Sequence, residues 1–489
     1  MNLNHKKIFI APHTPKSTML EKVLKETFMD VEILGFIDKE KVADNIFKIE
    51  NITHKEFDFI LIYSPNHFDA IYNEYKKKIN SKKLIQIDVQ NNSYIFNTDS
   101  EISKNRMKNI SFLIKLNLLK SFVTFFDFFN IKRDEIVFVS KDFVGTNNKV
   151  LFIETLKNTK KALLLTDNKK QMEEFNKNGI KTLFLGSIFS FYKLAKAKTV
   201  VQDQGNSNFL VKHLSSKQKK IQLWHGIPLK RMNKLVDVLY DYHISTSDFV
   251  NVSSLSLVVQ AKKHLNLGYP RNDLLLKEHE KLDLLFVNLE IYNLAKENKV
   301  IVYMPTHRES EPSFGNKSVK ELPLDLEKLN DFMKKQNAFF ILKLHPFVSK
   351  LYENKNFSNI VFYESQSDIY PVLKYTDILI TDYSSVYFDF LLIDKPIIFF
   401  DYDYEEYSSN MNGFVYDYEE NAPGKKVKTQ EELELEIKNI HNFIDLNMKK
   451  RLKIRSKFFD YIYDDSASRI SRIIDSLLLN LNSEKNIDI

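Results

Sequence analysis

Apolar runs of strand length alternate with amphipathic helical stretches through most of the chain. The runs begin with KIFIA (7–11), VEILGF (31–36), FDFILIY (57–63) and KLIQID (83–88). They continue through EIVFVS (135–140), KALLLT (161–166), KTLFLG (181–186), KTVVQD (198–203) and KKIQLWH (219–225). They resume with KVIVYMP (299–305), FFILKLHP (339–346), IVFYE (360–364), DILITD (377–382) and PIIFFD (396–401). Strands alternating with helices predict parallel sheets of the doubly wound α/β kind. Many runs are apolar throughout, as strands buried on both faces must be.

The runs are too numerous for one sheet. Residues 1–132 are expected to form an N-terminal α/β unit ending in the aromatic-rich helical stretch SFLIKLNLLKSFVTFFDFFNIKRD. Residues 133–277 form a second α/β unit, 278–430 a third, and 431–489 read as helices. No internal repeat or low-complexity linker interrupts this order.

Composition narrows the function classes. The chain of 489 residues is 43% hydrophobic and 28% charged, which is globular. It has no cysteine, so disulfides and thiolate metal sites are excluded. The net charge of +7 is too modest to imply a nucleic-acid partner. The apolar run in MNLNHKKIFIAPHTP is too short for a signal peptide. FLLIDKPIIFF is interrupted by Asp394, Lys395 and Pro396 and cannot serve as a membrane span. A soluble cytoplasmic protein is expected, at most peripheral on the inner face of the membrane. The basic run KKRLKIRSK (449–457) reads as a solvated helix face or as a contact for an anionic membrane surface. Only 10 residues are glycine, with no GxGxxG and no GxxxxGK[ST]. Phosphates would therefore be held by side chains and helix N-termini rather than by a glycine-rich cradle.

Six segments in the second and third units carry candidate chemistry. QLWHGIPLKR (222–231) places His225 after an apolar strand and before Gly226, where it could serve as a general base. GYPRND (268–273) reads as a turn with Arg271 and Asp273 anchored. YMPTHRES (303–310) sets His307 and Arg308 at a strand end, a pairing suited to a phosphate. In LKLHPF (342–347), Lys343 and His345 point to one face of a strand, which hints at an anion or a nearby carboxylate. DILITDYSSVYFDFLLIDKP (377–396) ends a buried strand at Asp382. Ser384 and Ser385 then open an amphipathic helix with Val386, Phe390 and Leu391 on its apolar stripe. Two adjacent hydroxyls favour phosphate binding over capping, which needs only one. GFVYDYEENAPG (413–424) reads as an ordered acidic and aromatic loop. The 12 histidines show no HExxH, so no metal held by the protein is expected.

Taken together and in this order, WHGIPLK, GYPRND, MPTHR, LKLHP, ITDYSSVYFDFLLIDKPIIFFDYD and GFVYDYEENAPG resemble the CDP-glycerol glycerophosphotransferase family. That family includes the wall teichoic acid primases and polymerases and related transferases of capsule synthesis. The resemblance covers about residues 135–475, with looser matches at DFVGTNNKVLFIETL and DDSASRI. It implies a GT-B architecture: two facing Rossmann-like domains with C-terminal helices crossing back, here with an extra N-terminal α/β unit. It implies a CDP-polyol donor, a lipid-linked or polymer acceptor, CMP as leaving group and no cofactor. The expected catalytic residues are then His225, His307 and His345. Arg308, Ser384 and Ser385 would neutralise the donor phosphates, with Lys230, Lys343, Asp382 and Arg271 on the substrate side. Two alternatives stay open: a GT-B glycosyltransferase using a CMP-sugar, and a non-catalytic polymer-binding protein.

Overall fold

The computed structural model describes residues 1–90, 93–232, 237–306, 322–344, 346–352, 355–410, 413–441 and 445–479. The chain divides by contacts into two compact units, the first reaching Ile114 and the second beginning at Lys115. Three sheets run through them.

The first sheet consists of β1 (Lys7–Ala11), β2 (Glu32–Ile37), β3 (Ile46–Phe47), β4 (Phe59–Ile62), β5 (Leu84–Gln90) and β6 (Ser93–Asn97), in the order β3-β2-β1-β4-β5-β6. Only the β5–β6 pair is antiparallel. The unbroken apolar run of β1 is explained by burial on both sides. Ile8 and Ile10 enter one core cluster, Phe9 and Ala11 another.

The second sheet holds β7 (Glu135–Val139), β8 (Ala162–Thr166), β9 (Thr182–Phe184), β10 (Ala197–Gln202), β11 (Lys219–Gln222), β12 (Leu239–Ile244) and β13 (Gln260–Leu265). Its order is β13-β12-β11-β10-β7-β8-β9, parallel throughout. The third holds β14 (Lys299–Met304), β15 (Ala338–Lys343), β16 (Ile360–Tyr363), β17 (Ile378–Thr381), β18 (Ile397–Phe400) and β19 (Lys425–Val427). Its order is β16-β15-β14-β17-β18-β19, also parallel. Val300, Val302 and Leu379 on one face of the third sheet share a core cluster with the second sheet, while Ile301, Tyr303, Ile378 and Ile380 pack on the other face.

The helix Asp99–Phe128 straddles the division between the units. The sequence pattern places it whole in the first unit, residues 1–132. Leu119, Val123 and Phe126 instead sit in the core of the second sheet, so the boundary falls inside the helix rather than after it. Among the described residues this is the one helix that length and composition would allow to cross a membrane. Its inserted apolar stripe ties its second half to a folded core.

The C-terminal helices divide their packing. Helix Gln430–His441 stays with the third sheet, burying Leu433 and Ile437 there. Helices Met448–Phe458 and Ser466–Leu478 join the core shared with the second sheet through Ile454, Phe458, Ile470 and Ile474. Three of the six basic residues in the run 449–457 are tied into the fold, while Lys449 and Lys453 are exposed. Arg451 is buried between Asp445 and Asp394. Lys450 donates to the carbonyls of Glu419 and Ala422, and Lys457 to the side-chain oxygen of Asn421.

Polar groups also cross the seam between the second and third sheets. Lys149, fully buried on helix Asn147–Asn158, pairs with Asp368 at 2.7 Å and donates to the carbonyls of Asp283 and Leu285. Arg271 pairs with the buried Asp389 at 2.6 Å, and Asn272 and the Tyr370 hydroxyl donate to the same carboxylate. Removing one partner of such a pair strands the other charge, at a cost of about 3–5 kcal/mol. Lys149→Met should therefore lower the unfolding free energy of the second unit by about that amount in denaturant titration. Adding Asp368→Leu should recover much of the loss. An unchanged midpoint in the single variant would show that the pair carries no such load.

Candidate active site

The carboxyl ends of β11, β14 and β17 meet at a cavity of about 440 Å³. One wall is the segment from Trp224 to Lys230 with Met232; the other is Pro305, Thr306, Tyr383, Ser384 and Ser385. A larger cavity of about 640 Å³, between Val144–Asn178 and Lys281–Ser367, contains no histidine and none of the residues expected from sequence. The smaller cavity is therefore the candidate site.

β11 ends at Gln222, earlier than the apolar run through His225 implied. Trp224 at φ +57° and Gly226 at φ +124° flank the histidine and turn the chain sharply. A Cβ on Gly226 would lie 2.6 Å from Nη2 of Arg271 and 3.9 Å from Oγ of Ser385. Glycine is thus required by space as well as by φ. The buried Trp224 indole stacks on the His225 ring at 4.5 Å between centroids. Nδ1 of His225 lies 3.3 Å from the carbonyl oxygen of Asp203. A carbonyl only accepts, so Nδ1 carries the proton and Nε2 keeps its lone pair. The imidazole is open to the cavity yet ringed by protein atoms. Lost solvation first, and the Arg271 charge second, hold its pKa below the ordinary histidine value.

On the facing wall, Ser384 and Ser385 follow β17. The Ser385 hydroxyl makes no capping bond, and Oγ of Ser384 accepts only a long 3.5 Å bond from the Val386 amide. Both side chains thus remain available to a ligand. The helix they open is shorter than expected, Val386–Phe390 followed by a 3-10 turn to Ile393. It is buried on every side rather than amphipathic. So short a helix has little dipole, and the serine hydroxyls are its main resource for an anion.

Lys230 lies on the same cavity, with Nζ 5.3 Å from the centre of the Tyr407 ring. The loop beginning at Gly413 pairs with this wall: Arg231 N donates to Gly413 O and Val415 N to Leu229 O. GFVYDYEENAPG is therefore a strap joining the third sheet's domain to the histidine wall.

Three expected substrate-side residues are used as scaffold. Arg271 lies under Gly226, turned to Asp389. Asp382 is buried and accepts from the Thr306 amide, bracketing the loops after β14 and β17. Nζ of Lys343 donates to the carbonyls of Glu364, Ser365 and Ser367, and burial lowers its pKa to about 8. His307, Arg308 and His345 lie outside the described residues. Sequence reading passed over Asn147, Asp203, Tyr370 and Asp389. The strand-end position of Asp203 was the one local signal. Among the described residues, no group of three or more His, Asp or Glu is placed to hold a metal.

Two parallel Rossmann-like sheets whose strand ends face a shared cavity, with terminal helices returning to the first, define a transferase fold of the GT-B type. The wall teichoic acid polymerase TagF shares this fold, with a TM-score of 0.63 at 23% identity over 78% of this chain and 98% of that one. The family model for CDP-Glycerol:Poly(glycerophosphate) glycerophosphotransferase matches residues 121–476, and the chain belongs to that family. A teichoic acid poly(glycerol phosphate) polymerase of Bacillus spizizenii is 30% identical over 53% of this chain and 69% of its own length. A teichoic acid glycerol-phosphate transferase of Staphylococcus aureus is 27% identical over 67% of this chain and 89% of its own.

A base acts in its neutral form, and a lowered pKa keeps it neutral to lower pH. With His225 as the base, the acid limb of kcat/KM should therefore fall below about pH 6.5, the ordinary histidine value. A limb centred above 7 would assign the controlling ionisation to another group.

Proposed function

We propose that this chain transfers glycerol phosphate from CDP-glycerol to a hydroxyl of a teichoic-acid-type polymer or its lipid-linked precursor. The acceptor oxygen forms a bond to the phosphorus that bears the glycerol. The bond from that phosphorus to the bridging oxygen breaks, and CMP leaves with that oxygen. Nε2 of His225 takes the acceptor proton, while Ser384 and Ser385 hold the donor phosphates with help from Lys230. His307, Arg308 and His345 are proposed to join them. Phosphoryl transfer depends mainly on positioning and on neutralising charge, which suits such a set. The observation that carries this reading is the imidazole with its open Nε2 on one wall, facing uncommitted serine hydroxyls on the other.

The test is CMP release from CDP-glycerol, with CDP-ribitol and a CMP-sugar in parallel. Turnover should be confined to the CDP-polyols. His225→Ala should lower kcat by about 10²–10⁴-fold and leave donor affinity nearly unchanged. Release from the CMP-sugar alone would transfer the site to a glycosyltransferase reading.

We also propose that the protein works against the cytoplasmic side of the membrane. Phe125, Phe128 and Phe129 are exposed on the helix that ends at Phe128 and the residue after it, and Ile188 and Phe189 are exposed on helix Ile188–Lys196. Tyr192 links the two groups through Phe122, Phe126 and Phe189. Exposed Lys120 on this helix and exposed Lys132 just after it add positive charge. Such a combination favours an anionic lipid interface. The protein should sediment with anionic vesicles at low salt, and Phe128→Ser with Phe129→Ser should weaken this. Equal binding to neutral vesicles, or none to either, would rule the surface out.

A further inference from the structure

His225 stands on a loop whose conformation needs explaining. A tryptophan in the left-handed region is an outlier for so bulky a residue, yet Trp224 is held there immediately before the histidine. The first turn of helix Asn147–Asn158 supplies the grip. Asn147 is fully buried, and both ends of its amide are committed. Nδ2 donates to the Trp224 carbonyl at 2.8 Å, and Oδ1 accepts from the Arg271 amide at 3.1 Å. One residue on, the Asn148 amide donates to Oδ2 of Asp203 at 2.9 Å, and Nδ2 of Asn148 anchors to the Val139 carbonyl. Asp203 in turn offers its own carbonyl to Nδ1 of His225. The helix turn therefore holds the residue before the histidine from one side and the histidine ring from the other.

We infer that this helix turn is the positioning device for His225, with Asn147 and Asp203 as its positioning residues. The inference rests on His225 being the base of the proposed reaction. Asn147 fixes the loop, and Asp203 fixes the tautomer that leaves Nε2 able to accept a proton. Neither touches substrate. Asp203 is fully enclosed, and loss of solvation raises its pKa to about 7. Its carboxyl thus serves as a hydrogen-bonded anchor of its own backbone rather than as a fixed charge.

The test substitutes Asn147→Asp. That variant keeps the acceptor for the Arg271 amide but turns an oxygen toward the Trp224 carbonyl, losing only the loop bond. Nitrogen NMR of isotope-labelled histidine, with the His225 signals identified by their absence in His225→Ala, reads the tautomer directly. The wild type should show Nδ1 protonated. In Asn147→Asp that signature should weaken, and kcat for CMP release should drop roughly 10- to 100-fold with the donor KM little changed. A folded variant with wild-type His225 signals and wild-type kcat overturns the inference. Should the variant not fold, Asp203→Ala and Asp203→Asn decide it. Asparagine keeps the acceptor for the Asn148 amide, so it should restore the kcat lost in the alanine variant. Equal rates in all three proteins, or an asparagine variant as impaired as alanine, overturn it. If His225→Ala itself turns over normally, the assignment of the base fails, while the NMR signature still tests the positioning.

Discussion

A charge removed from water must be paired, and the seam between the second and third sheets depends on that requirement. Two buried cations, Lys149 and Arg271, extend from the side of the second sheet and find Asp368 and Asp389 on the side of the third. The pairs therefore fix how the domains meet more sharply than apolar packing alone would. Consecutive residues of GYPRND show how much converges here. Arg271 and Asn272 bind Asp389, while Asp273 accepts from the amides of Ser466 and Ala467 at the start of the returning helix. Three side chains in a row thus join two domains and the helix that crosses between them.

The site inherits its geometry from this seam. Gly226 rests on the Arg271 guanidinium, and Asn147 holds Trp224 while receiving the Arg271 amide. The guanidinium that locks the domains also lies close enough to disfavour a proton on His225. Structure and reactivity are thus coupled through one side chain. A variant at Arg271 would disturb the domain seam, the histidine loop and the ionisation of His225 together, so its kinetics alone could not be read as a substrate contact.

The alternation of apolar runs made the three parallel sheets legible, and each run contains a strand. Of the strands outside these runs, β3, β6, β13 and β19 lie at sheet edges, and β12 is broken by polar residues. β12 reads LYDYHI, and β13, at the sheet edge, reads QAKKHL with most of its residues partly or fully exposed. Edge strands need no continuous apolar face, so no run announces them. Strand-end position pointed to His225, Ser384 and Ser385, because in parallel sheets ligands gather there, and the structure brings all three to one cavity. The same reasoning placed Arg271, Asp382 and Lys343 on the substrate side. Their actual partners depend on tertiary structure: Asp389 is 118 residues from Arg271, and Lys343 is satisfied by three loop carbonyls. A buried polar residue signals in sequence that it needs a partner, but not whether that partner is a ligand or the protein itself.

The strap from Gly413 to Val415 shows why that distinction matters for a reaction governed by positioning. His225 comes from one domain and the Ser384 and Ser385 hydroxyls from the other, so their separation depends on how the domains are held. The salt bridges hold the seam beneath the histidine loop. The strap adds two backbone hydrogen bonds on the loop's far side, at Leu229 and Arg231. Tyr383, next to Ser384, stacks on Tyr407 at 3.9 Å, and Tyr407 is also the ring over which Lys230 lies. The histidine wall is thus fastened at both ends to the domain carrying the serines. Opening the cleft would have to break either desolvated ion pairs or the strap. The strap is a mixed fastening, since Nε of Arg231 also donates to the Phe414 carbonyl at 3.1 Å, a charge-assisted bond, and the Tyr416 hydroxyl bonds with Ser253 and Ser254. Separating the histidine wall from the serine wall would therefore break bonds to charged groups on both sides of the loop.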